Sequence, residues 1–183
     1  MERAEGKDPL VEKKDFTIRI ADEHDFDAIR FVTLSASQEY REVMSPPLWE
    51  AYLQNLLEAL DYDMQVERIV AVQNGAIVGS VSLYPPMANA YSGISTGYAW
   101  PEVRLLAVLP EMRGQGIGTS LMDECKQRAY NTGAKILGLH TLQAMQIAVR
   151  MYERMGFVRA PELDLRPSPG VMVMGYQYTL GMS

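Results

Sequence analysis

A chain of 183 residues, 48% of them hydrophobic, has enough apolar side chains for one well-buried domain and too few for two. A formal net charge of −6 argues against general nucleic-acid binding, which neutralises phosphates with basic side chains, and no apolar run approaches the roughly 20 residues that span a bilayer. One cysteine, Cys125, rules out an intrachain disulfide or a cysteine metal cluster, and with only His24 and His140 a histidine-rich site is excluded, so no metal is expected.

Met1 to Lys14 is charged and lacks both helical periodicity and the apolar core of a signal peptide. It reads as a mobile tail ahead of one domain over residues 15–183, in a protein expected to be cytoplasmic. Phe16 to Ile20 alternates apolar and polar residues as a strand does. Asp22 and Asp25 resemble a capping box opening a helix through Phe26, Ile29 and Val32 to about Gln38, with His24 solvated in its first turn. Ser45-Pro46-Pro47 opens a second helix, on which Trp49, Leu53, Leu56, Leu57 and Leu60 form an apolar stripe. The link between them, Glu39 to Met44, is either an ordinary polar loop or, with its aromatic and acidic residues, a wall for a cationic ligand. Arg68 to Val72 and Ala76 to Leu83 flank Asn74-Gly75, the signature of a type I′ hairpin. Met87 to Trp100 is then a long loop of the kind that usually carries function, and Tyr91, Tyr98 and Trp100 are its candidate contacts.

The central stretch runs from Glu102 through an apolar, strand-like segment to Pro110, then through Gly114, Gly116 and Gly118 into a helix with Ile117, Leu121, Cys125 and Ala129 on one face. Cys125 on that stripe reads as a buried, inert thiol. Glycines allow close approach, and the first turn of a helix offers unpaired N–H groups at the positive end of its dipole, so the loop favours a phosphate or pyrophosphate, with Arg113 adding charge. Thr119 stands where a dinucleotide fingerprint needs glycine, and no Gly-Lys-Ser/Thr ending follows. Lys135 to Thr141 reads as the next strand. Ala144 to Met155 reads as a helix with Ala148, Met151, Tyr152 and Met155 on one face and Gly156 as its cap. A short strand at Phe157 to Ala160, a loop at Pro161 to Pro169 and a long strand at Val171 to Leu180 complete the chain. Met172, Met174, Tyr176 and Tyr178 share one face of that strand, which suits either the internal core or a homodimer contact. Alternating strands and helices imply an α/β sheet with helices on both faces.

Arg113-Gly114-Gln115-Gly116-Ile117-Gly118 resembles the Arg/Gln-x-x-Gly-x-Gly/Ala signature of the GCN5-related N-acetyltransferases, and Tyr152-Glu153-Arg154-Met155-Gly156-Phe157 resembles a second pattern of that family. The resemblance runs from about Phe16 to Leu180, specific in the central half and looser before Val66. It implies a single-domain mixed sheet whose two central parallel strands splay to admit the pantetheine arm of acetyl-CoA. It also implies the cofactor positions: the pyrophosphate on Arg113, Gly114, Gln115, Gly116, Ile117, Gly118 and Thr119, and the pantetheine along Leu106, Ala107 and Val108, with an N–H near Leu106 facing the thioester oxygen. Glu102 would take the amine's proton through water, against the plainer reading of a solvated carboxylate at a strand start. Tyr152 would protonate the leaving thiolate, against that of a core aromatic. Where relatives often carry an asparagine seven residues before that tyrosine, this chain has Met145, so Gln143 or Gln146 would have to substitute or the contact become apolar. His140 reads as structural. The implied reaction is direct attack of a primary amine on acetyl-CoA in a ternary complex, the acceptor a small molecule or a peptide amine. The alternatives are an acyl-CoA-binding module without turnover, and a nucleotide-binding protein using the same loop.

Overall fold

The computed structural model describes residues 15–61, 66–87, 97–168 and 171–181. The elements are β1 (Thr17–Ile20), α1 (Phe26–Ser37), α2 (Pro46–Asp61), β2 (Glu67–Gln73), β3 (Ala76–Tyr84), β4 (Glu102–Val108), α3 (Ile117–Asn131), β5 (Ile136–Leu142), α4 (Gln146–Arg154), β6 (Val158–Arg159), β7 (Leu165–Ser168) and β8 (Val171–Thr179). Strands pair in the order β1-β2-β3-β4-β5-β8-β6, with β7 also on β8. Among the described residues, β4 and β5 are the parallel pair and the other neighbours are antiparallel.

Local chemistry accounts for most boundaries. The Asp22 side chain accepts from the His24 amide and the Asp25 carboxylate accepts from the Asp22 amide, a reciprocal cap ahead of α1. Asn74 and Gly75 adopt φ of 51° and 80°, the left-handed pair that a tight hairpin needs. Helix α4 starts at Gln146 rather than Ala144, because Met145 holds a non-helical ψ of 57°. The segment read as a loop from Pro161 contains a 3-10 turn over Pro161–Leu163 and the edge strand β7. Since β7 pairs only with β8, Pro167 is tolerated there as it would not be in a central strand.

The two faces of the sheet bury different helices. On one, Val103, Leu137 and Leu139 pack with Ile117, Leu121, Met122 and Cys125 of α3, with Val149 of α4, and with Met174 and Tyr176 of β8. On the other, Ile29, Leu56 and Leu60 enclose Val70, while Val32 and Ala36 meet Ala107. Each such aliphatic side chain contributes about 1.5–3 kcal/mol through burial. Strand β8 has β5 along one edge and β6 and β7 along the other.

The centre of the sheet is interrupted. Ser82 faces Arg104 and Ser80 faces Ala107, so Leu105 and Leu106 together stand opposite Val81 in a β-bulge. Leu105 has φ of 56°, a left-handed conformation that costs a non-glycine residue about 1–2 kcal/mol, and its side chain joins the α1/α2 cluster. A bulge bends its strand and sharpens the twist. Pairing between β4 and β5 accordingly consists of Glu102 with Gly138 and Val103 with Leu139, after which the strands part.

The turn after β6 is seated on β8 at Gly175. Asp164 accepts from the Gly175 amide at 3.1 Å and from Arg159 at 2.6 Å, and a Cβ on Gly175 would stand 2.5 Å from the Leu163 Cβ and 3.1 Å from the Ala160 carbonyl. Gly175→Ala is therefore expected to destabilise the fold by about 1–3 kcal/mol, as overpacking does. Urea unfolding reads this directly, and a midpoint equal to that of the parent protein would show that the turn yields freely.

Candidate active site

The parting of β4 from β5 opens a cleft of about 1210 Å³. One end meets the glycine loop. Gly114 and Gly116 hold φ of 79° and 78°, and a Cβ on either would meet nothing within 4 Å. Gly116 is the N-cap of α3 and has no side chain to cap it, and no acidic residue lies in the first turn. Uncapped N–H groups at a helix start, open on the cleft side, are the arrangement that accepts a phosphate. Every position assigned to the cofactor from the sequence lines the cleft except Gln115, whose side chain accepts from Gln73 at 3.4 Å on the exposed surface. Ile117 is 1% exposed and lies close against Gly79, so it also anchors α3 to the sheet.

Arg113 lines the cleft and also has a partner that the sequence does not announce. Its guanidinium pairs with Glu39 at 2.6 Å and donates to the carbonyls of Ala36 and Val108 at 3.4 Å. It thus ties the glycine loop to the end of α1 and to the segment before α2, and Glu39 balances its charge. Tyr40, next to Glu39, lines the cleft and packs edge-on against Tyr52. Burial foremost, then the Glu39 charge, push the Tyr40 phenol up to about 12.

At the fork itself lies a polar group that neither strand's apolar pattern announces. Glu102 is 3% exposed, which excludes the reading of a solvated carboxylate. Its Oε1 meets His140 Nδ1, and its Oε2 accepts from Arg104 Nη2 at 2.6 Å and Nε at 3.2 Å. Burial alone would raise its pKa, but the hydrogen bond from His140 and the charge of Arg104 outweigh that, and the carboxyl lies below its ordinary value. Arg104 stacks 4.3 Å over the Tyr84 ring. The other nitrogen of His140, Nε2, is 2.9 Å from the Leu163 carbonyl and 3.5 Å from the Tyr98 hydroxyl. Tyr98 is stacked between Trp100, 5.0 Å away, and His140, 5.7 Å away. Trp100 lies over Gly138, where a Cβ would come within 2.7 Å of its indole nitrogen. Tyr91, the other aromatic singled out in that loop, lies outside the described residues. Arg104 and His140 line the cleft, and Glu102 stands behind them.

The sequence reading missed the partnership of His140. The available signal was that Glu102, Arg104 and His140 are ionisable residues in two largely apolar strands, but their meeting depends on the register of β4 and β5.

Tyr152 is 8% exposed in the α3/α4 core, edge-on to Phe157 at 6.0 Å. It does not line the cleft, although Ala148, one turn earlier on the same face of α4, and Met151 do. Met145 also lines it and accepts from the Thr141 hydroxyl through sulfur at 3.7 Å. Gln146 donates to the Gln143 carbonyl at 2.6 Å, and neither glutamine reaches the cleft. Cys125 is fully buried, its thiol pushed up to about 12 chiefly by burial, so it supplies no thiolate. Among the described residues no cluster of three or more His, Cys, Asp or Glu could hold a metal, and no helix is long and apolar enough to cross a membrane.

The sequence pattern of the acetyltransferase (GNAT) family matches residues 29–157. The aminoalkylphosphonate N-acetyltransferase of Salmonella typhimurium is 33% identical over 96 residues, 52% of this chain and 58% of that relative, so the chain spans less than two thirds of its length. The S-(2-succino)cysteine N-acetyltransferase of Bacillus subtilis is 27% identical over 154 residues, 80% of this chain and 87% of the relative. In fold, the crystal structure of the paia N-acetyltransferase from Thermoplasma acidophilum in complex with coenzyme A matches with a TM-score of 0.63 at 17% identity, covering 89% of this chain and 99% of that one. On the family pattern, which spans most of the sequence and takes in both parted strands and the glycine loop, the chain belongs to the acetyltransferase (GNAT) family.

Proposed function

We propose that the protein is an acetyl-CoA-dependent N-acetyltransferase acting on the primary amine of a small molecule by direct attack in a ternary complex. The observation that carries this reading is the parting of β4 and β5 beside an uncapped helix N-terminus, which supports a long ligand with a pyrophosphate at one end. The amides at the start of α3 and of the glycine loop would hold the pyrophosphate. Leu106, Ala107 and Val108, on the edge of β4 that β5 has left, would run beside the pantetheine. At the bulge, the Leu105–Leu106 backbone departs from the regular ladder, which supports an amide there as donor to the thioester oxygen, worth about 3 kcal/mol when aimed beforehand. Bound acetyl-CoA supplies the activated acyl group.

The remaining task is proton traffic. An alkylammonium with a pKa near 10 is about three units from neutrality at pH 7, roughly 4 kcal/mol. Glu102, hydrogen-bonded to His140 and Arg104 at the fork, would help meet that cost. The family resemblance supports Tyr152 as the acid for the departing thiolate, although its side chain is buried in the α3/α4 core one turn from cleft-lining Ala148. The small-molecule reading draws on the two relatives described above, which are named for small amine acceptors, whereas a third, 33% identical over 95 residues, is an N-alpha-acetyltransferase of Schizosaccharomyces pombe.

Calorimetric titration with acetyl-CoA, followed by a free-thiol release assay over a panel of primary amines, is expected to show binding and release with at least one amine. Binding without release across the panel would favour a non-catalytic acyl-CoA module, and absence of binding would overturn the assignment of the glycine loop. Thr119→Glu places a carboxylate at the positive end of α3. It should leave fold stability unchanged or raised by about 0.3–1 kcal/mol while weakening acetyl-CoA binding tenfold or more. Equal affinity in the variant would place the phosphates elsewhere. Tyr152→Phe should lower kcat about tenfold or more at unchanged acetyl-CoA affinity, within the range of general acid catalysis. Full turnover in that variant would make Tyr152 a packing residue.

A further inference from the structure

We infer that Arg154, at the end of α4, binds the 3′-phosphate of acetyl-CoA and gives the protein a preference for the 3′-phosphorylated cofactor over its dephospho form. This rests on the acetyl-transfer reading above. It concerns the nucleotide end of the ligand, away from the reacting atoms.

The side chains of Glu39, Glu58, Arg104, Arg113 and Arg154 bring formal charge to the lining of the cleft, and His140 lies among them. All but Arg154 have partners within the protein. Arg113 is paired with Glu39 and Arg104 with Glu102, while His140 meets Glu102 and the Leu163 carbonyl. Glu58 accepts from Gln54 at 3.1 Å. Arg154 is exposed, and among the described residues its guanidinium makes no hydrogen bond or ion pair. It is thus the cation of the cleft whose charge no neighbour balances. Coenzyme A carries two separate anions, a pyrophosphate and a phosphate on the ribose 3′ oxygen. The amides at the start of α3 suit the first, and the second needs a donor elsewhere.

The packing of α4 puts Arg154 where that second anion falls. A Cβ on Gly118 would stand 3.4 Å from the Met151 sulfur, so α4 lies against the first turn of α3. Further along, Lys126 donates to the Met155 carbonyl at 3.0 Å. Lys126 lies about 13 Å down α3 from Ile117 at 1.5 Å per residue, so α4 runs beside α3 and away from its N-terminus. Arg154 therefore stands past the amides that suit the pyrophosphate. Side chains of a helix lean toward its N-terminus, which returns the guanidinium of Arg154 toward Met151 and the cleft.

Ile147, Met151 and Arg154 follow at helical spacing and all line the cleft, so one stripe of α4 offers apolar surface and then a cation. Ile147 is 60% exposed. A ligand with its acyl end between β4 and β5 and its pyrophosphate at α3 has its adenosine still to place. This stripe meets it with an apolar side chain for the base and a planar fork of donors for the phosphate.

The test is a cycle of calorimetric titrations with acetyl-CoA and 3′-dephospho-acetyl-CoA on the wild type and on Arg154→Gln. The wild type should bind acetyl-CoA about tenfold more tightly than the dephospho form, the scale of a hydrogen bond to a charged group. In Arg154→Gln the ratio should fall to about twofold or less, with affinity for the dephospho form nearly unchanged. Arg154→Lys keeps a point charge without the fork and should retain part of the preference, which a change in helix packing would not produce. Raising the salt concentration should narrow the wild-type preference, since an exposed pair is screened. Absence of wild-type binding to either form would overturn the acetyl-transfer reading and this inference with it. Wild-type binding without preference overturns this inference alone. So does an Arg154→Gln protein that keeps the full ratio, including one that loses affinity for both forms equally, which would place the arginine at the pyrophosphate.

Discussion

The site depends on a strand pairing that stops. Two parallel strands in the middle of a sheet would ordinarily stay in register along their length, saturating each other's amides and leaving no space between them. Here the bulge at Leu105 and Leu106 bends β4 out of register with β3, and the β5 edge is left after Val103 and Leu139. The cost falls on a leucine in a left-handed conformation, and partial burial of that same side chain against the α1/α2 cluster offsets it. The cleft is thus maintained by packing on the α1/α2 face, away from the glycine loop it serves.

Charge is handled in pairs around this opening. Arg113 answers Glu39 at the loop end, and Arg104 answers Glu102 at the fork, where His140 adds a hydrogen bond. The first pair is about one third exposed, so solvent screens it and it contributes little to stability. The second is almost wholly buried. Arg104 and Glu102 have given up hydration and depend on one another, and removing either leaves an uncompensated charge. This asymmetry fits their placement: a partner that can be exchanged near a phosphate site, and a fixed one where geometry must be kept.

Local chemistry made much of this legible in the sequence. Asn74-Gly75 and the Asp22/Asp25 box act within four residues, and the glycine spacing placed the start of α3; of the ten positions that the family resemblance suggested for the cofactor, nine line the cleft. What could not be read were consequences of distance. Leu105 carries no glycine or asparagine to signal its positive φ. Arg113 finds Glu39 across 74 residues of chain, and Glu102 finds His140 across 38. Prolines at Pro161 and Pro167 suggested a loop where an edge strand runs, because the rule against proline applies to strands with two neighbours.

The place of β8 has a bearing on how the chain folds. The strand nearest the C-terminal end lies inside the sheet, between β5 on one edge and β6 and β7 on the other. During synthesis β5 must wait for residues 171–179 with its amides and carbonyls unpaired along one edge. Non-local closure of this kind slows folding, and an open apolar edge invites pairing with another chain. The period between the emergence of β5 and the docking of β8 is therefore when this protein is most exposed to aggregation.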